Sequence, residues 1–213
     1  MPRDPDAGGT WVAVDQRGRC LCVLNGDRPA APVPLQAPSR GTLLLELAGC
    51  TDPVAMQHEL QRRLDAGELT HRAFKLFVAE PGQHGQPASA TLIEWNGLDA
   101  PSAAVHTGPA AFVSSSFDPD GVARSRERAF ASLASAPMGD PDALAAAQFL
   151  WHAAHSESAP QGDTYTVCMH REEAATVSFT AVRVDAQRIQ MEYVDGPPCE
   201  GREATRQAMA RRD

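Results

Sequence analysis

Apolar and polar residues alternate over Thr10–Asp15 (TWVAVD) and again over Arg19–Asn25 (RCLCVLN), with Gln16-Arg17-Gly18 between them. This pattern predicts a β-hairpin. The next stretch, Gly26–Pro38, carries four prolines and reads as a loop. The spacing then changes to that of a helix. Leu43, Leu44 and Leu47 fall on one face of Arg40–Ala48, with Ser39 in the N-cap position. Asp52 caps a second helix, which has Pro53 at its first position and Met56, Leu60 and Leu64 on its stripe. Ala73–Ala79 and Ala90–Trp95 read as strands, and Ala103–Thr107 as a weaker one. Ala110–Ser114 is apolar and stops at Ser114, Ser115 and Ser116. Helices are predicted over Val122–Ala134 and Asp142–Ala154, the latter capped by Asp140 before Pro141. A turn at Gln161-Gly162-Asp163 precedes three expected strands, Tyr165–His170, Ala175–Val184 and Arg188–Val194. Cys199–Arg212 is polar on most faces and reads as a short helix.

Strands in hairpins favour antiparallel pairing, and runs of strands separated by runs of helices favour an α+β layered architecture. The 213 residues fit a single domain spanning 1–213, long enough to bury a substantial core. The net charge of −8 argues against a nucleic-acid partner. No apolar run approaches the length of a membrane span, and the N-terminal MPRDPDAGG lacks the apolar core of a secretory signal. Five cysteines at positions 20, 22, 50, 168 and 199 form no CxxC pair. They read as reduced thiols in a cytoplasmic protein.

Few residues carry chemistry by pattern alone. Cys168 and His170 stand two apart on an expected strand, so both face one side and could line a pocket; the plainer alternative is a small buried side chain. His152 and His155 form an H-x-x-H pair at a helix end. No second ligand pair stands at matching spacing, so no metal site is expected, and histidines suit a helix C-terminus electrostatically. Cys20 and Cys22 share one face of a strand, where packing is the default.

Four segments resemble, in order, those of the NRDE family, also called the transport and Golgi organisation family. They are PRDPDAGGTWVAVDQRGRCLCVLN (Pro2–Asn25), PSRGTLLLEL (Pro38–Leu47), FVSSSFD (Phe112–Asp118) and YTVCMHREEAATVSF (Tyr165–Phe179). Cys168–His170 and the Gly196–Cys199 turn are also similar to segments of the acyltransferase branch of the N-terminal-nucleophile (Ntn) hydrolases. Both resemblances imply an Ntn-hydrolase-like αββα sandwich with mainly antiparallel sheets. Family members are expected to begin Met-Cys, the cysteine being the nucleophile, with an Asn-Arg-Asp-Glu motif soon after. This chain begins Met1-Pro2, at a point corresponding to downstream of both. The expectation is therefore a scaffold without its nucleophile and without its first strand pair, whose unpaired edge a second copy could cover in a homodimer.

The resemblance also implies site residues. Asn25 is similar to an oxyanion-hole donor of related amidases, although it equally suits a turn before Gly26. Ser114 and Ser115 lie at an expected strand end where the superfamily presents polar groups to substrate, or they simply end a strand. Cys168 and His170 become pocket walls. Gly49-Cys50-Thr51 looks like a processing site, but it falls between two helices. No cofactor is expected as a resident group. Haem or an acyl-type molecule is the ligand implied, giving a small-molecule binding or trafficking protein. The alternative is a hydrolase or acyltransferase acting on non-peptide amides, whose nucleophile segment is absent from this chain.

Overall fold

The computed structural model describes residues 2–27, 29–32, 36–82, 87–133, 140–155, 163–172 and 174–212. The predicted hairpin forms, with β1 (Val12–Val14) antiparallel to β2 (Cys20–Asn25) and Val12 opposite Cys22. The two helices that follow are α1 (Arg40–Leu47) and α2 (Pro53–Asp65). Both caps act as the sequence predicts: Ser39 accepts from the Gly41 amide, and Asp52 from the Ala55 amide at 2.8 Å. Strands β3 (Phe74–Glu80), β4 (Ser89–Trp95) and β5 (Ser102–Thr107) complete an antiparallel sheet of five strands in chain order, with β1 and β5 at its edges.

Alternation sorts this sheet into two faces. Leu21, Phe74, Leu76, Val78, Ile93 and Trp95 are buried on one face. They join Leu43, Leu44, Leu47, Met56 and Leu60 of the helices in one continuous core. Asn25 pairs with Phe74 and so stands on the same face, at the end of β2. Cys20 and Cys22 lie on the opposite face and are half-buried. Arg19 ties the hairpin to the helices: its guanidinium bonds Asp15 and donates to the carbonyls of Cys50 at 2.7 Å and Ala48 at 3.1 Å. Those carbonyls sit where α1 ends and the link to α2 begins, and Arg19 supplies the donors that a helix C-terminus otherwise lacks.

Later in the chain come α3 (Pro119–Leu133), α4 (Pro141–Ala153), β6 (Ser178–Val184), β7 (Arg188–Asp195), a 3₁₀ turn over Pro198–Glu200 and β8 (Thr205–Ala210). Strands β6, β7 and β8 form a separate sheet in that order. The chain divides into two units, the first of Met1–Ala110, Val182–Gln190 and Ala208–Asp213, the second of Ala111–Ala181 and Met191–Gln207. The mixed, antiparallel character expected of an α+β protein is present in both sheets. Among the described residues no helix is long and apolar enough to cross a membrane.

Three expected elements differ from the structure. Tyr165–His170 forms turns and bends with one isolated bridge, His170 to Ala175, in place of a strand. Side chains take the backbone groups that a ladder would have used. Asp163 accepts from the amides of Tyr165 and Thr166, Thr166 donates to the Cys168 carbonyl, and Thr176 accepts from the Met169 amide and donates to the Val167 carbonyl. The helix expected over Cys199–Arg212 is a 3₁₀ turn followed by β8. The apolar run before Ser114 is irregular. The turn expected at 161–163 lies, except for Asp163, outside the described residues, as does the final residue of the helix expected to end at position 134.

Candidate functional sites

In the first unit a cavity of about 280 Å³ is lined by Asp4, Thr10, Trp11, Val23, Asn25, the segment 37–41 and Arg72. Its walls come from two segments that approach very closely. Gly9 and Gly41 meet backbone to backbone, so that a Cβ on Gly9 would stand 2.5 Å from the Gly41 carbonyl carbon. The Thr10 amide donates to the Gly41 carbonyl at 3.2 Å. Only glycine permits this approach, and it brings the N-terminus of α1 beside the entry to β1. Trp11 is fixed by the Val23 amide, which donates to its carbonyl at 2.9 Å.

Positive charge gathers around this space. Arg40, the first residue of α1, donates to the Ala73 carbonyl at 3.1 Å, and the Gly26 amide donates to the same oxygen at 2.9 Å. The guanidinium is thereby held next to the Asn25 strand end. Burial, and then the charge of Arg72, lower the Arg40 pKa. The α1 N-terminus adds its own partial positive charge. Asp4 is the one carboxylate in the lining, and it accepts from the Asp6 and Ala7 amides in a local turn.

In the second unit, His155, Cys168, His170 and Cys199 each place one ligand atom within 4.8 Å of all the others. Cys168 Sγ lies 3.4 Å from Cys199 Sγ and 3.7 Å from His170 Nε2, and His170 Nε2 lies 3.0 Å from Cys199 Sγ. The rings of His155 and His170 meet edge to face at 5.3 Å. Three segments supply these groups. His155 stands just past the end of α4, Cys168 and His170 lie in the bent 163–170 segment, and Cys199 is in the 3₁₀ turn. Arg126 of α3 holds the bent segment in place by donating to the carbonyls of Thr164 and Thr166. Gly196, with φ of 125°, and the two prolines after it turn the chain to present Cys199.

The sequence-derived site residues therefore separate. Asn25 lines the first cavity, and Cys168 and His170 join the cluster. Ser114 and Ser115 belong to neither; Ser115 Oγ donates to the Phe117 carbonyl at 2.6 Å and accepts from the Phe117 amide. His152 and His155 part company. His152 Nδ1 lies 2.7 Å from the Gln148 carbonyl and its ring meets Phe179, whereas His155 turns to the cluster. Sequence reasoning missed Arg40, Arg72 and Cys199, and it gave His155 no partners. Cys199 had one usable signal, its place in the Gly-Pro-Pro-Cys turn.

Four thiols, Cys20, Cys22, Cys50 and Cys168, stand in surroundings that raise their pKa. Burial pushes Cys20 up to about 12 and Cys22 to about 11, and it also raises Cys50. Cys168 is raised to about 11 by burial and then by its hydrogen bond to Cys199. A thiolate nucleophile needs the opposite environment. Cys50 lies between α1 and α2, with its carbonyl held by Arg19.

No protein-family model and no curated protein matches the chain.

Proposed function

We propose that this chain is a small-molecule binding protein of the NRDE type on an Ntn-hydrolase-like scaffold, and that it takes an acyl-type ligand by its carboxylate in the cavity of the first unit. The observation that carries this reading is the convergence of Arg40, Arg72, Asn25 and the α1 N-terminus on one cavity with Trp11 and Val23 in its wall. Two cations against the one carboxylate of Asp4, with a helix N-terminus, favour an anion, guanidinium groups match a carboxylate, and Trp11 and Val23 offer a short hydrocarbon chain an apolar patch in a lining that is otherwise mostly polar. Haem is the other ligand the resemblance implies. A cavity of about 280 Å³ falls just below the range for small-molecule sites, roughly 300–1,000 Å³, which favours the smaller acyl ligand.

Calorimetric titration with octanoate, using methyl octanoate as the uncharged control, tests the proposal. Octanoate is expected to bind and the ester to bind at least ~10-fold more weakly, since a hydrogen bond to a charged group is worth about 1.5–3 kcal/mol. Arg72→Gln should weaken octanoate by a similar factor and leave the fold intact, because Arg72 is exposed. Equal binding of acid and ester, or an unchanged Arg72→Gln variant, would refute it. A Soret shift on haem addition would favour the haem form instead. The hydrolase alternative draws on Asn25 at the cavity as an oxyanion donor. An in-frame Met-Cys and Asn-Arg-Asp-Glu in the coding sequence upstream of Met1 would favour it.

A further inference from the structure

The second unit buries little apolar surface in its helices. Val122 is the one buried side chain of α3, and α4 has none. The continuous hydrophobic core, from Ala13 to Trp95, belongs to the first unit. Yet three segments of the second unit, joined to one another by no regular ladder at this point, bring two thiols and two imidazoles to one place.

We propose that His155, Cys168, His170 and Cys199 bind one zinc ion in a closed tetrahedral site that fastens the end of α4, the 163–170 segment and the 198–200 turn together. The distances fit. Bonds of about 2.3 Å to sulfur and 2.0–2.1 Å to nitrogen place tetrahedral ligands about 3.8 Å apart for two sulfurs and about 3.6 Å apart for sulfur and nitrogen. The observed separations are 3.4 Å between the sulfurs and 3.7 and 3.0 Å between sulfur and nitrogen. Two sulfurs with two nitrogens select zinc over the oxygen-seeking magnesium and calcium. Four protein ligands leave no open position, so the site is structural and not hydrolytic. A disulfide between Cys168 and Cys199 would account for the two sulfurs but not for the two histidines converging on them. Haem is a poor fit here, because four donors at a single point occupy the positions of the porphyrin nitrogens. On binding, zinc exchanges its bound waters for two sulfur and two nitrogen bonds, and the waters and the two thiol protons pass to solvent. Arg126 keeps the bent segment in shape for this role.

Metal analysis and native mass spectrometry of the full chain, expressed with zinc, test the proposal. One zinc per chain is expected. Cobalt in its place should give a thiolate-to-metal charge-transfer band and the intense visible bands of a tetrahedral ion. Cys199→Ser, on an exposed turn, should weaken zinc on the order of 100-fold or more, since even outer partners of a metal ligand are worth 10–100-fold. Cys22→Ser should retain zinc fully. In the unaltered protein, zinc should shield the exposed Cys199 from thiol labelling and chelator should release it, while the labelling of Cys20 and Cys22 stays the same with and without chelator, a readout that needs no variant to fold. Failure to retain zinc, retention undiminished in Cys199→Ser, or a zinc-free protein with Cys168 and Cys199 joined as a disulfide would each overturn it.

Discussion

His71 illustrates how one side chain sets a pH dependence. It is 7% exposed, and among the described residues neither ring nitrogen has a hydrogen-bond partner. Burial lowers its pKa, because the charged ring would lose its hydration. The unfolded chain therefore takes up the proton first as pH falls. The neutral ring's contribution is fully present above the ordinary histidine value, about 6.5, and is lost below it toward the depressed folded value. His152, also depressed by burial, acts in the same direction. Urea unfolding should accordingly show a lower midpoint at about pH 5.5 than at about pH 7.5, and His71→Phe should flatten part of that fall. A variant with the parent's full pH dependence would show that His71 does not contribute. Legibility at this scale followed residue type. Asn25, Cys168 and His170 are distinctive in sequence, and the structure places them at the cavity and the cluster. Arg40 and Arg72 look like ordinary solvated cations until the fold brings them to one cavity.

Elements were readable wherever burial imposed a period. β3 and β4 alternate because one face packs under α1 and α2, and the helices carry leucines at helical spacing for the same reason. β8 was unreadable because all six of its residues are exposed. It is a strand because β7 lies beside it, with Arg206 bridging to Glu192 at 2.9 Å, and not because of its own pattern. The 163–170 segment has an apolar look, but its threonines and Asp163 compete for the backbone. Arg19 shows how elements are joined. Its side chain is 10% exposed and serves the carbonyls of Ala48 and Cys50. Arg19→Met should cost about 1–3 kcal/mol, the penalty for leaving such acceptors unmet, measured by chemical denaturation. A loss below about 0.5 kcal/mol would place those carbonyls in contact with water.

For the whole molecule, the α+β class with antiparallel sheets was legible, and the two-site organisation was not. His155 and Cys199 are too far apart in sequence for any spacing rule to pair them, and only the fold makes them neighbours. The anion cavity and the zinc cluster stand in different units and rest on separate observations, so either can fail alone. The three tryptophans offer a direct reading of ligand binding in the first unit. Trp11 lines the cavity, Trp95 is buried in the first unit's core, and Trp151 meets Phe130 in the second unit. In a nitrogen–proton correlation spectrum titrated with octanoate, the Trp11 indole signal and the amides of Asn25 and Gly41 should move, while the Trp95 and Trp151 indoles stay in place. A spectrum in which Trp11 is still at saturating octanoate, or in which Trp151 moves and Trp11 does not, would contradict the account.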